Sequence, residues 1–226
     1  MVDIIFTYEG TLDKYIGDAI MAVFGAPFST GEDADRSVRS AIDMLNALEK
    51  FNRKRQNQSK ETIKIGIGIN SNKILSGNIG SMKRMDYTVI GDGVNLAARL
   101  ESVNKVYGTN IIISDSTRQG LNGNYTMREI DLIRVKGKTE PVAIYQILDY
   151  HDEQSFPNLD DVLELFNTGL KYYRRNNWRK ARQNFGSALN LNPSDSVSKL
   201  FFSRCRYYLE NPPPTEWNGV WVMETK

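Results

Sequence analysis

Apolar residues recur at three- and four-residue steps in two stretches of the chain, a spacing that places them on one face of an α-helix. In residues 31–56 the recurring positions are Val38, Ile42, Leu45, Leu48 and Phe51. The second stretch covers residues 92–108, with Asp92 at its start and Gly108 at its end, as helix termini favour. Each stretch predicts one amphipathic helix.

Shorter stretches alternate apolar with small or polar residues and predict β-strands. Residues 11–27 indicate two strands around a Gly17-Asp18 turn, because tight hairpin turns favour glycine with aspartate. Two more strands are predicted in residues 62–80, one at 109–115 before a short helix or turn, and a closing pair in 125–149. Because several strands are linked as hairpins, we predict the α+β class, with a mixed sheet and helices on one side.

The composition changes after residue 149. Residues 150–158 are predicted as a polar linker, residues 159–210 as helical, and residues 211–226 as a tail rich in proline and tryptophan. The helical segment has the spacings of one 34-residue tetratricopeptide repeat, carried by Gly169, Tyr172, Ala181, Phe185, Ala188 and Pro193. A single repeat leaves an apolar face uncovered, so we expect it to pack on its own domain or on a protein partner. The tail tryptophans are expected to be docked.

Composition and charge exclude several classes of protein. The chain has 226 residues, a net charge of +2 and interspersed acids and bases, so it lacks the basic stripe expected of a nucleic-acid-binding protein. One cysteine excludes an internal disulfide and fits a reducing compartment. No apolar run approaches the roughly 18 residues of a membrane helix. We therefore expect a cytoplasmic protein, which a segment upstream of this chain could still tether to a membrane.

Candidate chemistry lies first at the predicted hairpin turn. Asp18 has two interpretations: an ordinary turn residue, or a rigidly aimed carboxylate for Mg²⁺, which takes one or two carboxylates plus substrate phosphates. Lys14, four residues earlier, would stand on the strand that leads into the turn, where its ammonium could meet a base or a phosphate. The residues alone leave both interpretations open.

A second candidate group lies on the predicted helix at 92–108. Asn95 and Arg99 are four residues apart and share a face. They form either a solvated polar face or, among apolar neighbours, a polar pair that needs partners, and Arg is well suited to phosphate oxygens. Lys136, before Gly137, is either a solvated turn lysine or a phosphate ligand.

Taken together, three blocks in the chain resemble one family. GTLDKYIGDAIMAVFGAP (10–27), RMDYTVIGDGVNLAARLES (84–102) and VKGKTEPVAIYQI (135–147) are similar, in this order, to the class III nucleotidyl cyclase catalytic domain. The resemblance covers residues 1–149 and implies a ferredoxin-like mixed sheet. It also implies a head-to-tail homodimer with active sites at the interface, and two Mg²⁺ or Mn²⁺ ions at each site. The remainder resembles the C-terminal extension of some bacterial cyclases.

The resemblance implies a role for each candidate residue. Asp18 matches the second metal-binding aspartate of the family, Lys14 the lysine that contacts adenine, and Thr88 its partner in purine selection. Asn95 matches the asparagine that orients the ribose, and Arg99 the arginine that contacts the reacting phosphate. Lys136 is similar to the lysine that binds the terminal phosphates. Since guanylyl members usually carry Glu and Cys at the two purine positions, the implied reaction is ATP to 3′,5′-cyclic AMP and pyrophosphate.

One element of the family pattern is absent from the chain. The family carries its first metal-binding aspartate in a stretch like FSDIxGFT, about 40 residues before the hairpin, whereas residues 2–6 read as the tail of the following helix, with Asp3 on it. We expect either a fragment of a longer cyclase or a natural short form without activity. The alternative function is therefore a regulatory or protein-interaction module. A complete chain of this length is expected to show no turnover alone.

Overall fold

The computed structural model describes residues 1–81, 84–134, 140–214, 217 and 219–222. Contacts divide the chain into two compact units. The first comprises Met1–Asn104 and Asn110–Tyr125, and the second comprises Lys105–Thr109 and Thr126–Lys226. This partition describes contacts, and the domain boundary at residue 149 stays a prediction.

The first unit combines two hairpins, a parallel strand pair and helices. Its elements are α1 (Val2–Thr7), β1 (Thr11–Ile16), β2 (Ala19–Val23), α2 (Asp33–Gln56), β3 (Ile67–Ile69), β4 (Leu75–Ser81), β5 (Arg84–Ile90), most of α3 (Asp92–Tyr107), β6 (Ile111–Ser114) and α4 (Asp115–Gln119). Strands β1 and β2 pair antiparallel, as do β4 and β5, while β3 and β6 pair parallel.

The helices of this unit form largely where the apolar spacing predicts them. The opening residues form α1 and include Asp3, and α3 ends before Gly108, whose φ of +66° suits glycine. The buried face of α2 holds Val38, Leu45 and Leu48, whereas Phe51 is 49% exposed. The prediction that Phe51 belongs to the buried apolar face of α2 is therefore wrong. Its ring lies beside the Arg55 guanidinium.

Strand β5 was not recognised in the sequence, and β3 is shorter than predicted. The segment from Arg84 to Ile90 pairs with β4 from end to end, from Leu75↔Ile90 to Ser81↔Arg84. Only Ile67–Ile69 of the alternating stretch before Ser71 is strand. The existence of β5 and the length of β3 are decided by pairing with a partner strand. The alternation of residues within one segment does not reveal that pairing.

The second unit joins a strand hairpin to three helices. Its further elements are β7 (Met127–Arg134), β8 (Val142–Ile147), α5 (Leu159–Arg174), α6 (Trp178–Leu191), α7 (Ser196–Glu210) and β9 (Val220–Val222). Strand β7 pairs antiparallel with β8 and parallel with β9. The turn around Gly137, predicted between β7 and β8, lies outside the described residues.

The segment predicted as a polar linker is anchored by one aromatic residue. Phe156 is 5% exposed and shares an apolar cluster with Leu148, Val162 and Ala188. The cluster joins the end of the β7–β8 hairpin to helices α5 and α6. The connection is therefore packed within the second unit.

Helices α5 and α6 approach closely at one glycine. A Cβ atom at Gly169 would lie 2.7 Å from the Phe185 ring, so only glycine fits there. Assignment of this pair to the tetratricopeptide family stays a prediction. The ring centroid of Trp217 in the tail lies 5.4 Å from that of Tyr173 and 5.0 Å from that of Trp178. These contacts confirm that this tryptophan is docked.

Two buried ion pairs connect strand β7 to helix α7 and the turn before it. The Arg128 guanidinium donates to both carboxylate oxygens of Asp195, at 2.8 and 2.6 Å. Arg204 donates to Asp131 at 2.5 Å, and the Tyr107 hydroxyl donates to the same oxygen at 2.6 Å. All four charged side chains are at most 6% exposed. Charges buried to this degree depend on their partners, because an unpaired one pays the full desolvation penalty.

His151, the only histidine of the chain, makes stability depend on pH. Burial, with the nearby Arg128, lowers its pKa from 6.5 to about 4. The unfolded chain therefore binds a proton below pH 6.5 that the folded protein resists until about pH 4, so stability falls across this window. We expect His151→Gln to remove about 1–2 kcal/mol of that loss, since partial exposure screens the charge. Urea unfolding of both proteins at pH 7.0 and 4.5 measures the difference. Equal losses in the two proteins would contradict the assignment.

None of the helices in the described part of the chain is long and apolar enough to cross a membrane.

Candidate active site

The β1–β2 hairpin presents Asp18 at its tip. Ile16 pairs with Ala19, so Gly17 and Asp18 form a two-residue turn. Gly17 has a φ of +63° and Asp18 does not have a positive φ, and positive φ at the first central residue only is the signature of a type II′ turn. The predicted turn is confirmed. Asp18 is exposed, and its role as a metal ligand stays a prediction.

An irregularity in β1 brings the side chains of Asp13 and Lys14 together. Leu12 pairs with Ala22 and Lys14 with Met21, so Asp13 is the extra residue of a β-bulge. Neighbours on a regular strand point to opposite faces, and a bulge re-aims one of them. Lys14 Nζ lies 3.4 Å from Asp13 Oδ2, with the Asp13 side chain 4% exposed and that of Lys14 45% exposed.

Thr88, on β5, reaches the same carboxylate oxygen. Its Oγ1 donates a hydrogen bond to Asp13 Oδ2 at 3.0 Å, and the residue is 8% exposed. Asp13 thus joins Lys14 and Thr88, which are the two purine-reading candidates and are 74 residues apart in the sequence. Sequence reasoning gave Asp13 no role, because neither the bulge nor the pairing of distant hairpins is visible in one sequence.

Helix α3 carries Asn95 and Arg99 on the side turned away from its apolar contacts. Leu96 and Leu100 are buried, whereas Asn95 is exposed and Arg99 half-buried. The apolar surroundings inferred for Asn95 are therefore wrong, because its apolar neighbours occupy other faces of the helix. Among the described residues Arg99 has no hydrogen-bond or ion-pair partner, so its guanidinium is available to a ligand or a second chain.

Gly68 sets the position of helix α3. A Cβ atom at Gly68 of β3 would lie 2.2 Å from Glu101 N and 2.3 Å from Ala97 O. Asn104 of the helix donates to Ile67 O at 3.0 Å. The helix that presents Asn95 and Arg99 therefore rests directly on the β3 backbone.

The described residues fit only part of a two-metal site. Asp18 offers one exposed carboxylate, while Asp13 is engaged by Lys14 and Thr88. Within the described residues, no three or more His, Cys, Asp or Glu side chains are grouped so that they could hold a metal ion. Lys136, the predicted ligand of the terminal phosphates, lies outside the described residues. Two divalent ions would therefore need ligands besides those described in this chain.

Comparison with known proteins identifies the family. The profile described as adenylate and guanylate cyclase catalytic domain matches residues 8–149. The chain therefore belongs to this family, as the three sequence blocks indicated.

Individual relatives include both adenylate and guanylate cyclases. An adenylate cyclase of Anabaena cylindrica is 42% identical over 145 residues, covering 61% of this chain and 28% of that protein. The crystal structure of the adenylyl cyclase CyaB from P. aeruginosa matches with a TM-score of 0.60 and 36% identity, over 66% of this chain and 76% of that one. The guanylyl cyclase Cya2 matches with a TM-score of 0.56 and 36% identity, over 65% and 73%. These structures confirm the predicted mixed α+β cyclase fold.

The chain spans less than a third of the length of the first curated relatives that it matches. The similarity to both classes of cyclase leaves the choice between ATP and GTP to the residues of the site.

Proposed function

We propose that the protein is an adenylate cyclase, which converts ATP to 3′,5′-cyclic AMP and pyrophosphate at an interface between two chains. The observation that carries this proposal is the network of Lys14, Asp13 and Thr88, in which two purine-reading candidates share one carboxylate oxygen. Membership of the cyclase family supports the reaction class. The choice of ATP over GTP rests on these site residues, because the chain is similar to both adenylate and guanylate cyclases.

Lys14 favours adenine for a simple chemical reason. An ammonium group only donates hydrogen bonds, and the Watson–Crick edge of adenine offers the N1 acceptor, where guanine has an N1–H donor. The Lys14 side chain is 45% exposed, so its ammonium can reach a bound base. A glutamate in its place would reverse this preference, because a carboxylate accepts from guanine.

Asn95 and Arg99 are proposed to act on the sugar and phosphate of a nucleotide bound by the second chain. Four residues apart on α3, they project from one side of a helix that Gly68 fixes. The amide of Asn95 would hold the ribose, and the Arg99 guanidinium would neutralise charge that develops on the α-phosphate. Lys136 would bind the terminal phosphates.

The reaction is an intramolecular displacement. The ribose 3′-oxygen forms a bond to the α-phosphorus, the bond from that phosphorus to the bridging α,β-oxygen breaks, and the 3′-hydroxyl proton passes to solvent. Alignment of the hydroxyl with the leaving pyrophosphate is the principal contribution that a protein makes to such a step. Because the described residues supply one carboxylate, no step is assigned to the metal ions.

The alternative function expected from the sequence is less well supported, because the relatives compared above are described as cyclases. If the chain lacks a complete metal site in the cell, it would bind nucleotide without turnover and act as a regulatory or interaction module. Mass-spectrometric detection of products from purified chain, Mn²⁺ and ATP or GTP discriminates the two. Cyclic AMP supports the cyclase, and nucleotide binding without product supports the module. Cyclic GMP without cyclic AMP would contradict the adenylate assignment.

The double variant Lys14→Glu/Thr88→Cys tests the reading of the base. Exchanging the donor for an acceptor removes the contact with adenine N1 and creates one for guanine N1–H. We expect the ratio of ATP to GTP affinity to fall at least tenfold, since a site that hydrogen-bonds one group strongly rejects a ligand lacking it. Isothermal titration with both nucleotides measures the ratio. An unchanged ratio would remove Lys14 and Thr88 from base recognition.

A further inference from the structure

The Thr88 hydroxyl makes one hydrogen bond whose direction is fixed by its partner. A hydroxyl can donate one hydrogen bond and accept two, whereas an ionised carboxylate only accepts. Thr88 must therefore donate its hydrogen to Asp13 Oδ2, 3.0 Å away. Toward any further ligand, the hydroxyl then has only lone pairs to offer.

That restriction distinguishes the two purines. The 6-position of adenine carries an amino group, which donates, and the 6-position of guanine carries a carbonyl oxygen, which accepts. A hydroxyl that can only accept forms a hydrogen bond with the adenine amino group. It cannot form one with the guanine carbonyl oxygen, because both groups are then acceptors and repel each other. An unrestricted hydroxyl could rotate and donate to guanine as readily as it accepts from adenine.

The same carboxylate also holds the donor of the site. Lys14 Nζ lies 3.4 Å from Asp13 Oδ2, an arrangement that adjacent residues achieve here because Asp13 is the extra residue of the bulge in β1. The Asp13 carboxylate already restricts the conformations of the flexible Lys14 side chain. The side chain therefore loses less conformational freedom when it binds a base. One oxygen thus orients both base-reading groups, the ammonium as donor and the hydroxyl as acceptor.

We propose that Asp13 is a positioning residue that selects adenine over guanine, by fixing the Thr88 hydroxyl as an acceptor and holding the Lys14 ammonium beside it. The inference rests on the proposed function, in which Lys14 and Thr88 read the base. It adds a third residue, buried behind them, that sets the polarity of their hydrogen bonds.

Asp13→Asn is the decisive variant. The amide is similar in size but carries an N–H donor, so the Thr88 hydroxyl can accept from it and turn its own hydrogen toward the guanine carbonyl. The probes are the α,β-methylene analogues of ATP and GTP, whose carbon bridge prevents release of pyrophosphate. Titration calorimetry is expected to show the adenine preference reduced about fivefold, as suits a partly exposed charge-assisted network. A gain in affinity for the guanine analogue should account for part of that change.

Two further variants separate positioning from folding. Thr88→Ser keeps the hydroxyl and should keep the preference for the adenine analogue. Thr88→Val removes the hydroxyl and should reduce that preference, so it tests the inference even if the Asp13→Asn variant does not fold. Asp43→Asn is the matched control: Asp43 also accepts a hydroxyl hydrogen bond, from Tyr8 at 2.7 Å, but it stands on helix α2. We expect it to leave the ratio of the two affinities unchanged.

Each outcome bears on a different statement. Suppose that the wild type prefers the adenine analogue and that Asp13→Asn loses affinity for both analogues equally. This result would overturn the role of Asp13 and leave the proposed function standing. Wild-type protein with no preference, or with no binding, would overturn the proposed function and the inference together. If Asp13→Asn does not fold, an unchanged ratio in Thr88→Val overturns the inference.

Discussion

Gly68→Ala is expected to destabilise the protein by about 3 kcal/mol and to displace helix α3, because overpacking against a rigid neighbour cannot be relieved by side-chain rotation. The added Cβ atom would lie 2.2 Å from Glu101 N and 2.3 Å from Ala97 O, which are backbone atoms of the helix. Either β3 or the helix must move. Urea unfolding monitored by circular dichroism measures the loss of stability.

The displacement also has a functional consequence. Asn95 and Arg99 stand on the displaced helix, so variant protein that still folds should bind the α,β-methylene analogue of ATP more weakly than the wild type, since small misplacements of positioning groups are costly. Gly77→Ala is the matched control for stability, since Gly77 is also a strand glycine and its added Cβ atom would meet nothing within 4 Å. We expect the control to change stability by less than about 0.5 kcal/mol. Equal effects of the two substitutions would refute the close approach of β3 and α3.

Features decided by neighbours in the chain could be predicted from the sequence. The Gly17-Asp18 turn, helix α3 from Asp92 to Tyr107 and the three C-terminal helices all form where local pattern places them. Glycine at positive φ, an acid at a helix start and apolar residues at helical spacing are local causes. The positions of Asp18, Asn95 and Arg99 on their elements follow from the same causes.

Features decided by distant contacts could not be predicted in this way. The bulge at Asp13 exists only in the register between β1 and β2, and the Asp13–Thr88 hydrogen bond spans 75 residues. Strands β5 and β9 likewise depend on partner strands. The family resemblance supplied Lys14 and Thr88, but the carboxylate that connects them emerged only in three dimensions.

The helical segment after residue 149 also supplies charged partners to strand β7, which its apolar pattern did not indicate. Arg128 and Asp131, on strand β7, have their charged partners Asp195 and Arg204 in the helical segment. Deleting that segment would remove both charged partners and also the helices that pack on β7, so the remaining strands would lose stability. Lost activity in a deletion variant would therefore reflect lost stability, and single substitutions in the helices are the better test of a binding role.

Arg204→Met is expected to lower the free energy of unfolding by about 3–5 kcal/mol at pH 7, because it leaves the Asp131 carboxylate buried without a counter-charge. Asp131 is 2% exposed on β7, and Arg204 donates to it at 2.5 Å. Methionine fills much of the same volume without a charge, so the loss reports the ion pair more than a cavity. Urea unfolding measures the change.

Two comparisons isolate that ion pair. Arg206→Met, on the same helix but at an exposed position, should change stability by less than about 0.5 kcal/mol. The double variant Arg204→Met/Asp131→Leu should regain most of the loss, because an apolar pair can replace a buried ionic one. A double variant no more stable than Arg204→Met alone would contradict the pairing.

The pH dependence of the stability of Arg204→Met tests the same ion pair independently. Burial raises the pKa of Asp131, and the Arg204 guanidinium and Tyr107 hydroxyl oppose that rise. Without the guanidinium the folded carboxyl binds a proton at higher pH than the unfolded one, so the variant gains stability as pH falls through its folded pKa. The deficit of Arg204→Met relative to the wild type should therefore narrow between pH 7 and pH 5. A deficit that widens on acidification would mean that Asp131 is not the charge that Arg204 stabilises.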